Sequence, residues 1–535
     1  MRHIHLECHL EINRLRREET QLTQTLSAIR TRLNALLPIS QLPTELLLEI
    51  FIICVSWLYT PHGHNIKRIQ HPLAFTQVSR TWRLASLSSP HLWSKIDLSN
   101  PLFASYFLQR SKKVPLSLTS SLPPKLDVDM LAPHAHRLSS IDLFLFPDDM
   151  ETLFTSIGPC LSKSVTELSL KVPPVSCCIA LNLSFPNVRK LTLDCVSIHW
   201  ESIQNLTHLS LRIPVPEFCP SLPQLLAIFE KSPYMTYVRL ENISPALPSP
   251  SLISQNQKTI HLPRLKELTI SSPPLPISSL LSALTLSPHA RIQLFSRLPP
   301  NADLHTLFPL GGLPFSSPGP TISTIRLARY AMYLLRPNAP AWSDTPANVA
   351  FSLSSSLPVA IPTVNSLHRN ILPLRLVTSL ELATGVLIDL HRDELQRFFW
   401  SLVGLEELRI AFNDLTDILS CLSSSPSSSS SISSPFVSFS HDDEDGDTPP
   451  PKIPCACPNL NSLTFNKPSD LWWHFRVNWL SLVLKCAKAR KNHRVGSEFD
   501  FVLYRHAPAL RMIVALWTSS KTPSNQIASK PIETL

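Results

Sequence analysis

Phe185-Pro-Asn-Val-Arg-Lys-Leu-Thr-Leu-Asp-Cys195, FPNVRKLTLDC, returns twice in altered form: as LPRLKELTISS from Leu262 to Ser272 and as CPNLNSLTFNK from Cys457 to Lys467. Each copy has proline second and apolar residues fourth, seventh and ninth. These are Val188, Leu191 and Leu193; Leu265, Leu268 and Ile270; Leu460, Leu463 and Phe465. The seventh and ninth residues flank one polar residue, which is the period of a strand with a single buried face.

The shorter L-x-x-L-x-L pattern recurs at Leu138-Ile141-Leu143, Val165-Leu168-Leu170, Leu206-Leu209-Leu211, Met235-Val238-Leu240, Val377-Leu380-Leu382 and Leu405-Leu408-Ile410. Spacings of roughly 20 to 30 residues, some doubled, are those of leucine-rich repeats, each a strand plus a helix or turn. Such a unit cannot bury its apolar face alone, so neighbours must stack. Helical patterns lie between the strands. Phe103–Arg110 precedes a strand at Pro115–Leu118. Leu225–Pro233 and Leu280–Pro288 share the order helix, Ser-Pro stop, strand. The asparagine expected after the last strand leucine is mostly missing, Asn413 being the best match. The fold class expected is therefore α/β: an irregular leucine-rich-repeat-like solenoid over 94–422 with further repeats over 455–520. An ordinary α/β domain with leucine-rich strands is the other reading.

Composition excludes several functions. The 535 residues include 51 prolines and only 9 glycines. No glycines stand at G-x-G-x-x-G or G-x-x-x-x-G-K spacing, which argues against the common nucleotide-binding loops. Frequent proline suits many short elements joined by stiff turns. The net charge of +9 is only weakly suggestive of nucleic acid. The eleven cysteines show no disulfide framework, and Cys455-Ala-Cys457 is too tight for zinc-ribbon spacing. Met1–Leu10 carries His, Arg and Glu where a signal peptide would be apolar. No apolar run approaches the roughly 18 residues of a membrane span. A cytoplasmic or nuclear protein, with no membrane partner, is expected. No H-E-x-x-H or G-x-S-x-G occurs, and His62-Gly-His64 reads as a solvated loop. No enzyme, cofactor or metal site is expected.

Ile12, Leu15, Leu22, Leu26, Ile29, Leu33 and Leu36 alternate by three and four, broken only where Glu19 takes an apolar place. Residues 1–38 are thus a helix, either a short dimeric coiled coil or an amphipathic helix packed on its own domain. Ser423–Pro451 holds a serine run, the acidic run His441–Asp447 and three prolines; with 423–454 it reads as a solvated insertion. Leu471–Leu480 is aromatic and reads as core, and the basic run from Lys485 to Arg494 as a solvated face. Residues 521–535 read as a tail.

Between these segments lies QLPTELLLEIF, Gln41–Phe51. Pro43 suits a first helical turn and Glu45 the positive end of the helix dipole. Leu46, Ile50 and Ile53 share one face, with Leu47, Phe51 and Cys54 beside it, so the helix is apolar around more than half its girth. A polar loop over Tyr59–Gln70 precedes a second helix, expected as one piece from Leu73 to Leu87 with Phe75, Val78, Trp82 and Ala85 on one face. Ser88-Ser89-Pro90 stops it, and a strand is expected at Ser94–Leu98.

In order, Leu42-Pro43-x-Glu45-Leu46-x-x-Glu49-Ile50-Phe51, then Val78-Ser79-Arg80-x-Trp82-Arg83-x-Ala85, then Pro90-x-Leu92-Trp93 resembles an F-box, covering residues 39–93. Two departures are a serine at Ser79, where the family often has cysteine, and a longer loop between helices. Joined to divergent leucine-rich repeats, it resembles the large F-box families of mushroom-forming fungi. The resemblance implies a three-helix module that docks a Skp-type adaptor and, through it, a cullin-RING ubiquitin ligase. Carried over by motif position, Leu42 and Pro43 start the contact, Leu46, Ile50 and Phe51 extend it, and Val78 and Trp82 link it to the module core. The repeats would hold an unknown protein substrate. A scaffold that promotes no ubiquitination is the alternative, and α-helical burial of the apolar face against the N-terminal helix is the alternative to docking.

Overall fold

The computed structural model describes residues 2–58, 72–120, 123, 128–161, 164–173, 177–243 and 259–297. Beyond these it describes 307, 314–315, 322–328, 330–337, 349–355, 376–383, 392–410, 416–423, 456–460, 462–466 and 500–504. The Tyr59–Gln70 loop with His62 and His64, Asn413, nearly all of the serine and acidic insertion, Cys455, the aromatic cluster and the basic run lie outside them. The chain divides into two compact units, 1–250 and 251–535.

The first unit opens with helices α1 (Arg2–Ala35), α2 (Thr44–Leu58), α3 (Pro72–Val78) and α4 (Arg80–Ser88). Strands β1 (Lys95–Asp97), β2 (Leu116–Thr119), β3 (Leu138–Phe144), β4 (Glu167–Lys171), β5 (Ile179–Ala180), β6 (Lys190–Asp194), β7 (Val196–Ser197), β8 (His208–Arg212) and β9 (Tyr237–Glu241) follow. Helices α5 (Pro101–Arg110), α6 (Val128–Leu131), α7 (Pro147–Leu161) and α8 (Leu222–Glu230) connect them. Seven strands, β1-β2-β3-β4-β6-β8-β9, lie side by side in chain order and all parallel. Strands β5 and β7 form a separate parallel pair.

The leucine pattern dictates this register. Leu168, Leu191, Leu209 and Val238 are directly opposite one another across four strands, as are Leu170, Leu193, Leu211 and Leu240. Every motif position whose side chain is described is buried, from Leu138 through Leu463. The mixed α/β class is as expected.

A second device repeats with the leucines. The residue after the first apolar position of the motif is often Ser or Thr, and its hydroxyl donates to a main-chain carbonyl of the preceding unit. Ser139 reaches Leu116 at 3.1 Å, Thr166 reaches Ser139 at 3.1 Å, Thr207 reaches Arg189 at 3.1 Å and Thr236 reaches Thr207 at 3.0 Å. Thr166, Thr207 and Thr236 donate their main-chain N–H to the same carbonyls. Arg189 has no hydroxyl; its guanidinium donates to the Asn205 carbonyl at 3.0 Å.

The second unit holds β10 (Ile260–Leu262), β11 (Glu267–Ser271), β12 (Leu284–Leu286), β13 (Arg291–Phe295), β14 (Thr324–Ala328), β15 (Ala331–Leu335), β16 (Val349–Ser354), β17 (Ser379–Leu382), β18 (Glu407–Ile410), β19 (Ser462–Asn466) and β20 (Asp500–Tyr504). Helices α9 (Pro274–Ser282), α10 (Arg392–Ser401) and α11 (Thr416–Ser423) accompany them. Its main sheet runs β11-β13-β16-β15-β14-β17-β18-β19-β20. The strands are parallel except that β15 runs antiparallel to both β14 and β16. This reversal departs from the uniform repeat read in the sequence. So does β12, which pairs with β10 where the Ser-Pro-stopped helix was expected to lead directly to the next strand. Here Thr378 Oγ1 repeats the hydroxyl bond, to Ser323 at 3.3 Å.

Charges sit at strand positions that normally face water. Arg326, Glu381 and Arg409 are register partners on β14, β17 and β18. Arg326 Nε donates to Glu381 Oε2 at 2.6 Å, and an Arg409 guanidinium nitrogen donates to Glu381 Oε1 at 2.6 Å. Arg409 also donates twice to Glu407. Glu381 is 1% exposed. Two guanidiniums around it are what makes a buried carboxylate tolerable.

The single helix expected over Leu73–Leu87 is two helices. Ser79 has extended backbone, φ −151° and ψ 166°, and its hydroxyl oxygen accepts the Trp82 N–H at 3.1 Å. A serine in this role starts a helix, so α4 begins afresh at Arg80 and turns Trp82 toward α2. Helix α1 forms as expected, and its described side chains, from Cys8 on, are exposed nearly throughout.

Candidate protein-docking face

Helix α2 places apolar side chains on both of its sides, and α3 and α4 cover only one. Leu47, Phe51 and Val55 are 3%, 1% and 4% exposed, whereas Leu46, Ile50 and Ile53 are 48%, 39% and 52% exposed. At 100° per residue the two rows centre about 130° apart around the helix.

Aromatic packing selects the buried row. Phe51 stacks on Phe75 of α3, ring centres 4.3 Å apart and planes within 5°. Trp82 of α4 leans on Phe51 at 4.8 Å with its plane tilted 55°. Such contacts add about 0.5–1.5 kcal/mol each to simple burial. Phe51 was expected to extend the outer contact; it is instead the centre of the module, because only its side faces the two rings. Trp82 is half-buried and serves the same core. Leu42, Pro43, Leu46, Ile50 and Val78 are all exposed. They fall on α2, on the turn leading into it and on the last residue of α3.

The module is fastened to the first strand unit by Trp93. This indole is wholly buried and donates Nε1–H to the Ser86 carbonyl of α4 at 2.8 Å. Its ring meets Phe107 of α5 edge-on at 5.1 Å. The Arg110 guanidinium lies 5.5 Å from the Trp93 ring centre and 4.4 Å from that of Tyr106.

The solvent side of the first unit's sheet is polar. Lys171 pairs with Asp142 at 3.0 Å, Lys190 with Glu167 at 2.6 Å and Arg212 with Asp194 at 3.5 Å. These exposed pairs contribute little stability, but with Ser169, Thr192 and Ser210 between them they make a broad hydrogen-bonding surface. A hollow of about 390 Å³ is lined by Asn182, Leu183, Ser184, His199, Glu201 and Ser202. There the Ser202 hydroxyl donates to the His199 main-chain carbonyl, an arrangement that gives the serine no base. In the second unit both Glu381 carboxylate oxygens are occupied by arginine.

Cys195 shows the same chemistry of quiet burial. It lies beside Cys178 and Asp194, and burial first, then these neighbours, push its thiol up to about 12. The thiolate is the reactive form. Alkylation of the folded protein at pH 8 is therefore expected to mark exposed Cys8, Cys54, Cys160 and Cys177 and to spare Cys195 until denaturant is added. Mass spectrometry of the peptides reads this directly; rapid native labelling of Cys195 contradicts it.

Among the described residues no group of three or more His, Cys, Asp and Glu could hold a metal ion, and no helix is long and apolar enough to cross a membrane. No family model matches the sequence, and no curated protein matches it.

Proposed function

We propose that this chain is the substrate-receptor subunit of a Skp–cullin–F-box type ubiquitin ligase. The observation that carries the reading is the exposed row of Leu46 and Ile50 on a helix whose other side is already closed by Phe75 and Trp82. A small helical module that leaves such a row in water gains by giving it to a partner. The motif order from Leu42 to Trp93, which resembles an F-box, supports a Skp-type adaptor as that partner.

On this reading residues 39–93 are the F-box, and the strand units after it form an irregular leucine-rich-repeat-like solenoid that holds a protein substrate. The chain performs no bond-making itself. It raises the effective concentration of substrate lysines near the charged ubiquitin-conjugating enzyme. The work would take place in the cytoplasm or nucleus, where such ligases operate. The interlocked charges and hydroxyls of the first unit's sheet are a suitable surface for a protein partner, since polar groups fix orientation.

Co-expression with a Skp-type adaptor tests the first step: the two chains should elute together in equal amounts. Ubiquitin transfer to a co-purified protein in a reconstituted ligase tests the second. Adaptor binding without transfer to any co-purified protein would reduce the chain to a scaffold, and absence of adaptor binding would discard the reading altogether.

A further inference from the structure

Helix α1 spans 34 residues, about 51 Å at the usual rise. Leu15, Leu22, Leu26, Ile29 and Leu33 are all exposed along it. They alternate by three and four residues, with Glu19 in step, so they form one continuous seam. The polar side is self-contained. The hydroxyls of Thr20, Thr23, Thr25 and Thr31 each donate to the carbonyl four residues earlier, at 2.7–2.9 Å. Helix α1 therefore has these threonine hydroxyls satisfied and its apolar seam in water.

We propose that α1 pairs with α1 of a second copy of this chain, as a parallel, in-register coiled coil with Glu19 facing its counterpart across the seam. Charge complementarity points to a second copy of the helix as the occupant. In a parallel pair, a residue flanking the seam meets the residue five positions later on the other helix. Glu11 then meets Arg16, and by symmetry this happens twice. Glu18 meets Thr23 and Thr25 meets Arg30, so at these flanking positions no like charges meet; the one like pair is Glu19 with its counterpart inside the seam. An antiparallel pair would set Arg16 near Arg30 and Glu18 near Arg32. The flanking charges thus let the helix complement a second copy of itself, as an isologous interface requires. In the free helix Glu11 is only loosely held, 3.8 Å from Arg14 and exposed.

Glu19 sets the strength. Two carboxylates facing each other at the centre weaken the pair. Cys8 lies seven residues before Leu15, on the same seam, and is exposed. In the parallel register it faces its own counterpart.

Sedimentation equilibrium of the full chain is expected to give twice the 60.0 kDa chain mass. Leu22→Asp with Leu26→Asp should weaken association about a hundredfold or more, leaving adaptor retention unchanged. Glu19→Leu should tighten it about tenfold or more. A short bismaleimide should join the two chains through Cys8, and Cys8→Ser should prevent it. A wild-type chain that stays monomeric at roughly tens of micromolar, an unchanged mass in the aspartate variant, or Glu19→Leu with no tightening overturns the pairing. A dimer that forms without the Cys8 cross-link overturns its parallel direction.

Discussion

Leu46→Asp combined with Ile50→Asp is expected to abolish adaptor binding while leaving the melting temperature of the chain nearly unchanged. Both side chains already stand in water in the free chain, so carboxylates there disturb no packing. At a docked interface they would forfeit about 1.5–3 kcal/mol of burial each and add two desolvated charges without partners. The expected weakening is about a hundredfold at least. Calorimetric titration of the purified variant against the adaptor measures it, with thermal unfolding as the control. Wild-type affinity in the double variant would remove the docking face from α2.

Phe51→Ala is expected to do the opposite: it damages the module first and binding only as a consequence. The ring lies stacked between Phe75 and Trp82 with 1% exposure. Truncation leaves a cavity and costs about 3–5 kcal/mol, a large share of the stability of a small helical unit. Limited proteolysis should cut within α2 and α4 in the variant and spare these helices in the wild type. Phe51→Leu, which keeps most of the volume, should be milder on both counts. A Phe51→Ala chain that melts like wild type yet fails to bind would make the residue a direct contact after all.

This pair of variants marks the boundary of what could be read in advance. That Gln41–Phe51 belongs to an apolar helix was plain from its residues, but a helix apolar nearly all round does not say which side is inward. The choice depends on Phe75 and Trp82, and their aim depends on the break at Ser79. A serine between two helical patterns carries that signal, and it competes with the unbroken apolar spacing from Phe75 to Ala85. The recurring strands of the first unit were legible because the repeated leucine spacing can be buried only when neighbouring strands stack in register. The reversal at β15 was not, because alternating strands read the same in either direction. Ile322, Ile325 and Leu327 do carry the recurring spacing. Glu381 was hidden for a different reason: a charge between two leucines reads as solvent-facing until two arginines on neighbouring strands are brought beside it.

The row of serine and threonine hydroxyls along the strand entrances has a consequence for how this sequence can drift. Each hydroxyl fastens one strand to the one before it through a carbonyl that the main chain already uses. The fastening is duplicated, so losing one costs a fraction of a unit's cohesion and leaves its neighbours aligned. Arg189 is such a loss already absorbed. An array with this redundancy can exchange residues at almost every water-facing place without slipping, which frees that surface to be reshaped for new partners.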